Sequence, residues 1–163
     1  MISNKLEKEF NKQINEEIYS AYIYQAMAAY FADESLEGFA RWMDVQAQEE
    51  LEHARKFYDH LNERGGRVKL MAIEAPKHEW ESPLSAFEDA LEHEEHITGR
   101  INKLVDLALA ENDHASYTFL QWFVEEQVEE EDSVTEIIDK IKMIGKSGNG
   151  LLMLDNKLGS REE

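Results

Sequence analysis

The stretch Met43-Asp44-Val45-Gln46-Ala47-Gln48-Glu49-Glu50-Leu51-Glu52-His53-Ala54-Arg55-Lys56-Phe57 decides the fold. Its seam residues Met43, Gln46, Glu50, His53 and Phe57 recur in alternating steps of three and four, the spacing of a buried helical stripe in a near-parallel bundle. Phe39 and Leu61 extend the stripe at either end. Glu50 and His53 stand where apolar residues are due. A second stretch, Leu120-Gln121-Trp122-Phe123-Val124-Glu125-Glu126-Gln127-Val128-Glu129-Glu130-Glu131-Asp132-Ser133-Val134, repeats the pattern, with Gln127 and Glu130 interrupting Leu120, Phe123 and Val134. Glu50 to Gln127 and His53 to Glu130 are each 77 residues apart.

Two more stripes complete the set. Phe10, Ile14, Ala21, Tyr24, Ala28 and Phe31 are interrupted by Glu17; Leu84, Phe87, Leu91, Ile101, Val105 and Ala108 are interrupted by Glu94. Glu17 and Glu94 are again 77 residues apart. The periodicity predicts helices near 5–33, 35–64, 83–111 and 114–145, with a short fifth near 149–158. Ser82-Pro83 reads as an N-cap followed by an N1 proline, Gly65-Gly66 as a stop, and Asn112-Asp113 as a break that caps the last long helix. Very short turns make the first and last helix pairs antiparallel. About 17 residues, 67–83, separate the middle helices. Extended, they reach roughly 56 Å, more than the roughly 45 Å of a 30-residue helix. The second and third helices therefore run parallel, joined by one long crossover. The expectation is a single all-α domain over 1–163.

Composition agrees. Gly (8) and Pro (2) are scarce, as long uninterrupted elements require. The absence of cysteine excludes disulfides, thiolate zinc sites and iron–sulfur clusters. No apolar leader and no run of about 18 apolar residues is present, so a cytoplasmic protein with no membrane partner is expected. The net charge of −18 repels nucleic acid and draws in cations.

An isolated carboxylate in a bundle core costs several kcal/mol or takes up a proton. Four Glu at one depth repel one another, and two divalent cations would cancel their charge. Glu50 and His53 lie one turn apart on one face. Oxygen donors with one imidazole suit iron or manganese better than a zinc tetrahedron. One Glu from each of two helices, with ligand pairs at i and i+3 from the other two, is the di-iron carboxylate plan. The competing readings are acids on solvated flanks, a di-iron oxidase that stores nothing, and a metal-free helical module.

The flanking residues are weaker candidates. Glu49, Glu126 and Glu129, with Glu130, read either as a third metal site or as a solvated acidic edge. Tyr24 and Trp122 read as plain core or redox-active groups, and His60 as a satisfied or exposed histidine. His93 and His96 stand three apart, whereas the zincin motif needs four.

The chain resembles the non-haem ferritins of bacteria and archaea. The resemblance rests on Asn15-Glu16-Glu17-Ile18-Tyr19-Ser20-Ala21-Tyr22, Gln48-Glu49-Glu50-Leu51-Glu52-His53-Ala54, Glu63-Arg64-Gly65-Gly66-Arg67-Val68 and the run from Phe119 to Glu131. It implies a ferritin-like four-helix bundle with a short C-terminal helix. It further implies a ferroxidase centre in which Glu17, Glu50 and His53 hold one iron, and Glu50 bridges to a second held by Glu94 and Glu130. Gln127 would stand beside that iron. Glu49, Glu126, Glu129 and Glu130 match the family's third iron site, Tyr24 its tyrosine and Trp122 its tryptophan. The implied function is oxidation of Fe(II) to Fe(III) by O2 or H2O2, with mineralisation inside a cage of 24 identical subunits. Bacterioferritins carry a second Glu-x-x-His and a haem-ligating Met; here those positions read Gln127-Val128-Glu129-Glu130 and Leu51, so no haem is expected.

Overall fold

A computed structural model describes residues 1–162. Its elements are α1 (Asn4–Asp33), α2 (Glu37–Glu63), α3 (Pro83–Ala110), α4 (His114–Ile144) and α5 (Gly148–Leu158). No strand occurs among the described residues.

The helix ends follow side-chain chemistry. Ser3 accepts a bond from the Leu6 amide and opens α1; Ser82 and Ser85 form a reciprocal capping box at α3, with Pro83 in its first turn. The ends of α1, α2 and α3 share one device. Ser35, Gly65 and Asn112 adopt φ of 60°, 73° and 55°. Each donates its amide three residues back, and the next residue donates five back, as in Leu36 to Phe31, Gly66 to Leu61 and Asp113 to Ala108. This is the Schellman ending. Ser35 therefore closes α1 and does not open α2, which begins two residues later than the periodicity predicts. Ser35 and Asn112 are themselves 77 residues apart, so the hidden repeat extends to the turns.

α1 packs on α2, α3 packs on α4, and α1 also packs on α3. At the far end of α2, Arg64 forks onto Asp113 at 2.8 and 3.1 Å, tying that end to the α3–α4 turn. α2 and α3 thus finish at the same end of the bundle and run parallel. The crossover climbs along α1: Asn11 donates to the Arg67 carbonyl at 2.9 Å, and Trp80 packs against Tyr30 at 5.3 Å.

The core falls into two apolar halves. One gathers Phe31, Phe39, Met43, Phe87 and Ile137; the other gathers Phe10, Phe57, Ile101, Leu120 and Phe123. Between them lies a buried polar belt that includes Glu17, Gln46, Glu50, His53, Glu94, Gln127 and Glu130.

α5 folds back on its own bundle. Leu154 and Leu158 are buried, Leu151 packs on the same cluster, and Leu152 and Met153 are exposed. α2 has no side-chain cap from its own N-cap residue, Leu36. Asp155 of α5 supplies one, accepting from the Phe39 amide at 3.0 Å. This approach requires Gly38, where a Cβ would sit 1.7 Å from the Asp155 carbonyl oxygen.

Candidate metal centre

The four seam interruptions meet in the belt. Three groups bring potential ligand atoms within 4.8 Å of one another: Glu17, Glu50 and His53; Glu50, Glu94 and Glu130; and His53, Glu126 and Glu130. Glu50 belongs to the first two and so joins them. The His53 Nδ1 lies 3.3 Å from Glu50 Oε2, and its Nε2 lies 3.8 Å from Glu126 Oε1. Its ring rests edge-on against Trp122 and Phe123, at 5.4 and 5.9 Å.

A second ring of polar side chains orients the carboxylates. Gln13 donates to Glu17 Oε1 at 2.7 Å. Gln46 donates to Glu130 and, at 3.5 Å, to Glu50. The Tyr24 hydroxyl donates to Glu94 Oε1, while Gln127 donates to Glu94 Oε2 at 3.2 Å and to Thr98 Oγ1 at the same distance. Glu17 Oε2 has no hydrogen-bond partner, the only such buried side-chain atom among the described residues.

Burial dominates the electrostatics. It raises the carboxyls of Glu17 and Glu50 well above the ordinary range, and nearby carboxylates raise them further. Glu94 is raised by burial against the opposing bonds from Tyr24 and Gln127. Glu130 is pushed up to about 8, first by burial and then by Glu94. A buried oxygen with no partner and four carboxyls that resist ionisation together describe a site short of positive charge. Its donors, carboxylate oxygens with one imidazole, fit a metal such as iron.

The outer residues divide. Glu126 is half-buried beside His53 and Glu130, and burial raises its carboxyl. Glu49 pairs with Arg161 at 2.6 Å, and Glu129 is exposed. Trp122 is 38% exposed. Tyr24 is buried and bonded directly into the centre. His60 lies apart, stacked on Phe119 at 4.0 Å and 3.3 Å from Ser116 Oγ. His93 and His96 also lie outside the three groups: His93 contacts Ser20 at 2.6 Å, and His96 contacts Glu16 at 3.1 Å.

Sequence reading passed over Gln13, Thr98, Gln46 and Arg161 as site residues. Gln46 carried a signal, a polar residue on the seam one turn before Glu50. Gln13, one turn before Glu17, carried a weaker one. Arg161 carried none, because only the docking of α5 brings it near.

The ferritin-like domain family matches residues 7–144. The bacterial non-heme ferritin of Bacteroides fragilis is 44% identical over 161 residues, covering 99% of this chain and all of that protein. That of Campylobacter jejuni is 41% identical, covering 95% and 93%. The open pore ferritin of the archaeon Archaeoglobus fulgidus superposes with a TM-score of 0.98 at 54% identity, covering 99% of both chains. A closed form of that ferritin, engineered by mutagenesis, superposes equally well. With family, relatives and fold in agreement over nearly its whole length, this chain belongs to the ferritin family.

Proposed function

We propose that this chain is an iron-storage subunit whose centre binds two Fe(II) ions as substrate and oxidises them to Fe(III). The observation that carries the reading is the convergence of Glu17, Glu50, His53, Glu94 and Glu130 at one level of the core, with Glu17 Oε2 left unpartnered. Two divalent cations neutralise the four carboxylates, which otherwise stay protonated or repel one another.

In this reading Glu17, Glu50 and His53 hold one iron, Glu50 bridges, and Glu94 and Glu130 hold the other. Tyr24 and Gln127 each bond one oxygen of Glu94 and fix the orientation of its carboxylate. Gln46 does the same for Glu130. Apolar packing on both sides of the belt excludes water, so the carboxylates act on the metal without solvent screening. O2 or H2O2 takes two electrons, one from each Fe(II). Glu49, Glu126, Glu129 and Glu130 form an outer position for a third ion. The product Fe(III) passes to a mineral inside a cage of 24 identical chains in the cytoplasm, as the resemblance to non-haem ferritins implies. The −18 charge favours cation uptake and nucleation.

Anaerobic Fe(II) titration with stopped-flow oxidation tests the centre. Saturable binding of two or three ions per chain is expected, with oxidation abolished in the Glu50→Ala, His53→Ala double variant. Unchanged kinetics in that variant would sink the ferroxidase reading. Electron microscopy tests storage: a hollow particle is expected, and a monomer or dimer in solution would remove the storage role.

A further inference from the structure

Arg161, just beyond α5, is held against one face of α2. Its Nη2 donates to Glu49 Oε2 at 2.6 Å, and its Nη1 donates to Gln46 Oε1 at 3.0 Å and to the Trp42 carbonyl at 3.3 Å. The guanidinium sits 4.5 Å from the centroid of the Trp42 ring. Residues 42, 46 and 49 are successive turns of one helical face, so a planar fork reaches all three at once. The side chain is only 22% exposed, unlike a freely solvated arginine.

Two consequences follow from this geometry. The Oε1 of Gln46 is taken by Arg161, so its amide has one favourable orientation, with Nε2 toward Glu130 and Glu50. Glu49 is already paired with a cation. It also adds to the negative field at Glu126 and Glu130, so a positive charge seated on Glu49 offsets its share of that field.

We propose that Arg161 is a built-in counter-cation of the outer acid position, which a divalent ion binding there through Glu49 has to displace. This rests on the reading of the centre as a metal site. Arg161 sets the threshold at which the outer position fills, and through Gln46 it links that event to Glu130. It is a positioning residue and touches neither inner ligand group. Removing it should not undock α5, which keeps Leu154, Leu158 and the Asp155 bond to the Phe39 amide.

Calorimetric titration of the assembled protein with Zn(II), a probe that cannot be oxidised, tests this. Wild type should show two tight sites and a weaker outer class. Arg161→Gln should tighten the outer class about five- to tenfold, the loss of one partly exposed charge-assisted pair and of one repulsion, and leave the tight pair within twofold. Arg161→Lys, which keeps the charge without the fork, should fall between. Glu49→Gln should remove the outer class, and adding Arg161→Gln to it should then change nothing. Two tight sites with an outer class that is unmoved or weakened in Arg161→Gln, or absent from both proteins, overturns the inference alone. A wild type with no saturable Zn(II) binding overturns the metal-centre reading and the inference with it.

Discussion

Loading the centre with two Zn(II) ions at pH 7 is expected to release about two to three protons per chain. The figure follows from burial. Glu130, pushed up to about 8, is roughly nine-tenths protonated at pH 7. Glu17 and Glu50 are both fully buried and raised well above 4.5, and Glu94 is raised as well. Four such carboxyls within one belt cannot all ionise without a counter-cation. Metal ligation requires their ionised forms, so binding expels the protons. Titration calorimetry in buffers of different ionisation enthalpy reads the count as the slope of apparent enthalpy against buffer enthalpy. Glu130→Gln, which carries no proton to lose, should lower the count by about one at saturating Zn(II). Apparent affinity for the pair should rise about 100-fold per pH unit between pH 6 and 7 if two protons leave. A slope near zero, with binding intact, would mean that the metal-free centre is already ionised, and the argument from burial and crowding would fail.

Three further outcomes are expected. The metal-free protein should lose stability as pH rises from about 5 to 8: carboxyls raised in the folded state hold more protons there than in the unfolded chain, so their contribution is full below the unfolded value of 4.5 and is lost as pH rises through the folded one. Zn(II) should abolish most of that slope, because bound carboxylates are ionised throughout; a thermal-melting series with the same slope in both states would contradict this. Phe57→Ala should cost about 3–5 kcal/mol in urea unfolding, since Phe57 is fully buried against Phe10, Phe119 and Phe123; a loss under about 1 kcal/mol would mean that the aromatic cluster is loosely packed. Gly38→Ala should push α5 off the start of α2, where a Cβ meets the Asp155 carbonyl at 1.7 Å; faster amide exchange at Phe39 and across α5 is the expected sign, and unchanged exchange would show that the contact yields cheaply.

The sequence by itself determined the helical layers, the crossover and the inner belt. Glu17, Glu50, His53, Glu94, Gln127 and Glu130 were legible because a seam with a period of 3.5 leaves a polar residue nowhere to go but inward. The 77-residue offset then set all six at one depth. Local rules also placed the caps at Ser82, Asp113 and Gly65, whose partners lie within a few residues. Periodicity alone began α2 at 35, two residues early, because the two bonds Ser35 to Ala32 and Leu36 to Phe31 keep Ser35 in the ending of α1.

Only the tertiary structure decided which residues serve the centre from a distance. Tyr24 read more readily as plain packing, and its bond to Glu94, which crosses between α1 and α3, is visible only in the fold. The Asp155 cap on α2 and the Arg161 fork on Glu49 join residues 116 and 112 positions apart. No periodicity encodes such a pairing. It depends on the rotation and depth at which α5 docks, set by Gly38, Leu154 and Leu158 together. The inner acids and His53 are a property of the helix repeat, which one dimension carries; the groups that orient them and pair with the outer acids are a property of packing, which takes three.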